Sequence, residues 1–145
     1  MMSLTTTLTL EHRQCDELYT TLENTLRNSD WLQAERLFAR FSGSLLQHFV
    51  DEEQLLFPAF EAVTGNRSGP TQVMRFEHQQ IRDELDALQH GIQQRDRSAA
   101  IGHADTLLIL IQQHNVKEEN ILYPMCEQRI PDIAQRWQER HHVAA

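Results

Sequence analysis

One segment of the chain occurs twice. HFVDEEQLLFP, from His48 to Pro58, aligns with HNVKEENILYP, from His114 to Pro124, at an offset of 66 residues. The same offset carries EHRQ, Glu11 to Gln14, onto EHQQ, Glu77 to Gln80, so that in each half two histidines stand 36 residues apart. Two copies of one unit predict two similar substructures, each burying against the other what it cannot bury alone.

Both copies carry mainly apolar residues at steps of three and four, the period of an amphipathic helix. The first stripe is Leu8, His12, Cys15, Tyr19, Leu22 and Leu26; the second is Phe38, Phe41, Leu45, His48, Glu52, Leu55 and Ala59. The third is Met74, His78, Ile81, Leu85, Leu88 and Ile92; the fourth is Ala104, Leu107, Ile111, His114, Glu118 and Ile121. Between them lie stop and cap residues: Asn28-Ser29-Asp30, the Gly/Ser/Pro loop from Thr64 to Pro70, and Arg95 to Ser98. Helices are therefore predicted near 8–27, 31–60, 71–94 and 98–123, with Pro58 and Pro124 ending or kinking the second and fourth. The segment from Pro131 to His142 reads as a short extra helix packed by Ile133 and Trp137.

From His12 the chain runs about 16 residues to its turn and about 17 back to His48, and at about 1.5 Å per residue the two legs nearly cancel. His12 and His48 should lie level across one hairpin, and His78 and His114 across the other. Two hairpins with one polar layer each can bury those layers only against one another. The expected fold is all-α: an antiparallel up-down four-helix bundle of two pseudo-symmetric hairpins. It is expected to form one domain over 1–145, with its core at about 8–126 and a tail at 127–145.

A formal charge of −8 without a Lys/Arg run argues against a nucleic-acid surface or a polybasic membrane patch. No secretory signal pattern opens the sequence and no stretch of about 18 apolar residues occurs, so a cytoplasmic protein is expected. Cys15 and Cys126 need not pair in that compartment.

Six ionisable side chains, His12, His48, Glu52, His78, His114 and Glu118, fall on the core-facing stripes. Burying such a layer uncompensated costs on the order of several kcal/mol per charge, comparable in sum to a folding stability of about 5–15 kcal/mol. A metal-free hydrogen-bonded network is the weaker alternative, since cations neutralise the carboxylates and use the imidazole lone pairs. Imidazole and carboxylate without thiolate suit iron, manganese or zinc; six ligands exceed one tetrahedral zinc site, and two central carboxylates can bridge two ions. Two irons sharing both glutamates under an oxo or hydroxo bridge would each keep one open position for a diatomic molecule or peroxide. Zinc or manganese are the expected substitutes.

The isolated His before each H-x-x-x-E segment ending in L-F/Y-P resembles the hemerythrin-like HHE cation-binding family, over about residues 8–126. The resemblance implies a four-helix bundle with a carboxylate-bridged non-haem di-iron site on these six residues. Oxygen-carrying hemerythrins have a second His four residues along the third helix, where this chain has Arg82, and an Asp five after the last His, where it has Glu119. The four-His, two-Glu set is more similar to di-iron proteins linked to repair of iron centres and nitric oxide stress. Those usually carry a small cysteine-bearing N-terminal domain, which this sequence does not contain. The expected function is binding or sensing of O2, NO or a related small oxidant. The alternatives are a di-iron enzyme acting on peroxide or nitric oxide, and a protein of iron handling or repair.

Among the neighbours, Glu53 and Glu119 read first as exposed helix charges, and otherwise as groups that shuttle protons or admit iron. Glu11 and Glu77 are equally readable as partners that orient ligands or as solvated charges. Tyr19 reads as a packed aromatic rather than a donor to bound oxygen, and Cys15 as a small buried hydrophobe. His90, His103, His141 and His142 fall outside the expected site.

Overall fold

The computed structural model describes residues 2–144, with side chains through residue 141. Helix α1 (Leu4–Arg27) is followed by α2 (Trp31–Asp51), a π-helical turn π1 (Glu52–Leu56) and α3 (Phe57–Thr64). The second half repeats this as α4 (Pro70–Gln93), α5 (Arg97–Lys117), π2 (Glu118–Leu122) and α6 (Tyr123–Arg129), and α7 (Ile133–Ala144) follows. No strand occurs among the described residues. Each of α1, α2, α4 and α5 packs on two antiparallel neighbours, α1 against α2 and α5, α4 against α5 and α2. The fold is the expected up-down four-helix bundle.

The hairpin turns obey the repeat. Ser29 and Arg95, 66 apart, both adopt positive φ (54° and 53°), and each is followed by an aspartate at the next N-cap. Asp96 accepts a hydrogen bond from Ala99 N–H at 3.1 Å, whereas Asp30 makes no side-chain cap bond. Helix α1 begins four residues before the predicted start, because Ser3 caps it by accepting from Thr6 N–H, and because Leu4 and Leu8 are buried.

Pro58 and Pro124 do not end their helices. Each sits just past a π turn, where the Phe57 N–H reaches Glu52 O and the Tyr123 N–H reaches Glu118 O, an i→i+5 spacing. The wider turn takes up the proline, which stands at the start of a new α segment, where its missing N–H is tolerated. The extra residue in the turn also moves the buried stripe along by one. Ile121, predicted to face the core, is exposed and Leu122 is buried in its place; Leu55 is likewise only half-buried beside a fully buried Leu56.

The core forms two apolar clusters with the polar layer between them. One, including Tyr19, Phe41, Phe49, Leu85 and Leu107, fills the hairpin-turn end. The other joins Leu4, Leu8, Phe57, Phe60, Tyr123 and Trp137, so the extra helix α7 closes the opposite end. Asp51 anchors α7, accepting from Arg140 Nε at 2.8 Å and lying 3.0 Å from His141 Nε2. Cys15 and Cys126 are buried, free, and in different clusters.

Candidate metal centre

Helices α1, α2, α4 and α5 each present one histidine, and the π turns each present one glutamate, to a single layer. His12, His48, Glu52, His78, His114 and Glu118 are all 5% exposed or less. Both hairpins place their histidines level: the rings of His12 and His48 are 4.9 Å apart and those of His78 and His114 are 4.8 Å apart. Candidate ligand atoms converge in two groups, each within 4.8 Å: Glu52, His78, His114 and Glu118 in one, His12, His48 and Glu118 in the other. Glu118 belongs to both. Glu52 Oε1 lies 3.1 Å from His78 Nε2, and its Oε2 lies 3.6 Å from His48 Nε2, so both carboxylates reach both halves.

Every imidazole in the layer has its outer nitrogen against a glutamate. Within each hairpin, His48 Nδ1 meets Glu11 at 3.1 Å and His114 Nδ1 meets Glu77 at 2.9 Å. Between hairpins, His12 Nδ1 meets Glu119 at 2.8 Å and His78 Nδ1 meets Glu53 at 2.7 Å. An ionised carboxylate only accepts, so each Nδ1 carries a proton, and an imidazole that holds only that one proton turns a bare Nε2 lone pair inward. With all four imidazoles neutral the inner layer would be four nitrogen lone pairs and four carboxylate oxygens facing one O–H donor, that of Tyr123.

Such a layer needs positive charge. In the metal-free chain protons supply it: burial lowers the basicity of His114, but the charge of Glu118 and the hydrogen bond to Glu77 bring its pKa up to about 10. Burial likewise opposes the protonation of His48 and His12, and carboxylates again win, Glu52 and Glu11 for His48, Glu118 and Glu119 for His12. Glu118, which burial alone would keep neutral, is held well below the usual carboxylate range, first by the charge of His114. Two polar atoms of the layer stay unpaired, His114 Nε2 and Glu118 Oε2. His114 Nε2 is 3.1 Å from Glu118 Oε1 but out of line for a hydrogen bond. Buried orphans of this kind are rare and costly, and here both are of the types that bind divalent cations. The residues fit a metal.

The family model of the hemerythrin HHE cation-binding domain matches residues 3–126. The chain belongs to this family. No curated protein and no solved structure matches it. A hemerythrin HHE domain whose core gathers buried His and Glu is a metal-binding protein.

Contacts between helices decide the other readings of this HHE sequence. Glu53 and Glu119 are not free surface charges: each reaches inward to a histidine, and Glu53 also accepts from both terminal nitrogens of Arg82, Nη1 and Nη2, at 2.8 and 2.9 Å. Burial raises the Glu53 pKa, but His78 and Arg82 outweigh it and lower it to about 2. Glu11 and Glu77 are orienting partners, and Glu11 also accepts from Trp137 Nε1 at 3.0 Å. Tyr19 is the packed aromatic expected, donating to Ala104 O at 2.8 Å, away from the layer. His90 is exposed, His103 pairs with Glu84 and His141 with Asp51, so none of the three reaches the centre; the side chain of His142 lies outside the described residues.

Tyr123 is the layer residue that sequence reasoning missed. Its hydroxyl lies 2.7 Å from Glu52 Oε2, 2.9 Å from Glu118 Oε1, 3.1 Å from His12 Nε2 and 3.3 Å from His48 Nε2. The available signal was the mismatch within the repeat, where Tyr123 aligns with Phe57.

Proposed function

We propose that this chain is a cytoplasmic non-haem di-iron protein that binds O2, NO or a related small oxidant. The reading rests on one observation: a buried layer built of acceptors, with four imidazoles locked at Nδ1 so that their Nε2 lone pairs point inward. His12 and His48 would hold one ion and His78 and His114 the other, with Glu52 and Glu118 shared. An iron pair supplies reversible redox chemistry and open positions for a small ligand.

The rest of the work falls to the protein. Apolar clusters above and below the layer exclude water, and the four outer glutamates fix ring orientation and the tautomer. Glu53 and Glu119, about a quarter exposed with side chains at 22% and 30%, connect His78 and His12 to the surface and can carry protons between them and solvent.

Reconstitution with ferrous iron under anaerobic conditions, followed by titration with O2 and with NO, tests the reading. A stoichiometric spectral change that reverses on removing the gas is expected. Catalytic loss of peroxide or nitric oxide would replace binding by turnover, and transfer of iron to an apo-cluster acceptor would replace it by iron handling.

A further inference from the structure

The two halves of the layer differ at one atom. Phe57 and Tyr123 occupy equivalent places: the Phe57 ring is 5.4 Å from His78 and the Tyr123 ring is 5.7 Å from His12. Both are fully buried. In an α-helix a residue five positions on would stand about 140° round the axis from the first. The π turn brings it back, with Tyr123 N–H bonded to Glu118 O and the phenolic O–H donating to the Glu118 carboxylate at 2.9 Å. Only Tyr123 ends in oxygen, and that oxygen lies 2.7 to 3.3 Å from Nε2 of His12 and His48 and from one oxygen each of the shared Glu52 and Glu118. At metal–ligand bonds of about 2.0–2.2 Å, atoms that share one ion stand about 3 Å apart, and that is how the phenolic oxygen stands to these four.

We propose that the Tyr123 phenolic oxygen is a ligand to the metal held by His12 and His48, leaving the open position on the His78–His114 metal, against the rings of Phe49 and Phe57. The inference rests on the di-iron reading. On binding, the O–H bond breaks, its proton leaves to solvent, and the phenolate oxygen forms a bond to the metal, as for any ligand that must deprotonate. Across the layer Phe57 offers no oxygen, and Phe49 stacks on His78 at 3.8 Å. The vacant position therefore has apolar walls, which suit an uncharged diatomic molecule.

The test is the visible and resonance Raman spectrum of the air-oxidised, iron-loaded protein, read with its iron content. Wild type is expected to hold two irons and to show a phenolate-to-iron(III) charge-transfer band with enhanced tyrosine ring modes. Tyr123→Phe should keep both irons and lose band and modes. Phe57→Tyr, which leaves Tyr123 in place, should keep the band, intensify it, and weaken binding of NO to the ferrous form. Two irons in wild type without the band, or a band that survives Tyr123→Phe, would overturn the tyrosine ligand alone. An unchanged band and unchanged NO binding in Phe57→Tyr would overturn the placing of the open position. Fewer than two irons in wild type would overturn the di-iron reading, and this proposal with it.

Discussion

Each imidazole of the centre is steadied by a glutamate that neighbours a different residue of the layer: Glu11 beside His12 holds His48, and Glu119 beside Glu118 holds His12. The alternation ties every helix to another through the centre. Removing one outer carboxylate leaves the six inner residues intact but frees a ring. Glu119→Gln is expected to weaken metal binding by about 10–100-fold in competition with a chelator, while Glu17→Gln, on an exposed position, changes nothing. Glu53 carries a pH signature of its own. Its folded pKa, about 2, lies below the ordinary 4.5, so it contributes stability that is fully present above 4.5 and is lost as pH falls toward 2. In the metal-free protein the excess urea resistance of wild type over Glu53→Gln should shrink across that window. The six inner residues were legible because each interrupts an apolar stripe at helical spacing. Of their partners, Glu11 and Glu77 could be read equally as orienting groups or as solvated charges, whereas Glu53 and Glu119 lie off the stripes and meet their histidines only across hairpins.

Elements repeat as residues do. The offset of 66 carries His12 onto His78, the turn residue Ser29 onto Arg95, and Asp30 onto Asp96. Helix number, turn positions and the levelling of the histidines could thus be worked out from periodicity and rise per residue. The π turns could not, because one extra residue in a helix uses the same amino acids as a regular turn, and proline there looks like a stop. That is why Ile121 was placed inward and stands outward. The caps separate two otherwise equivalent aspartates. Asp96→Ala should cost about 1 kcal/mol in denaturant unfolding, whereas Asp30→Ala should cost distinctly less, since its side chain caps nothing.

At the scale of the whole molecule, the polar layer lies between two apolar clusters, and no described helix is long and apolar enough to cross a membrane. A centre shared by four helices makes metal binding and folding one process. A chelator should therefore lower the unfolding temperature, and restored metal should raise it with concentration. Central to this account is that two ions sit in one layer bridged by Glu52 and Glu118. The most direct measurement is iron per chain after anaerobic purification and ferrous reconstitution, for wild type, Glu52→Ala, Glu118→Ala and His103→Ala. Two irons in wild type and His103→Ala, with the pair lost in both glutamate variants, is the predicted result. Two irons retained by both glutamate variants, or none taken up by wild type, would contradict it.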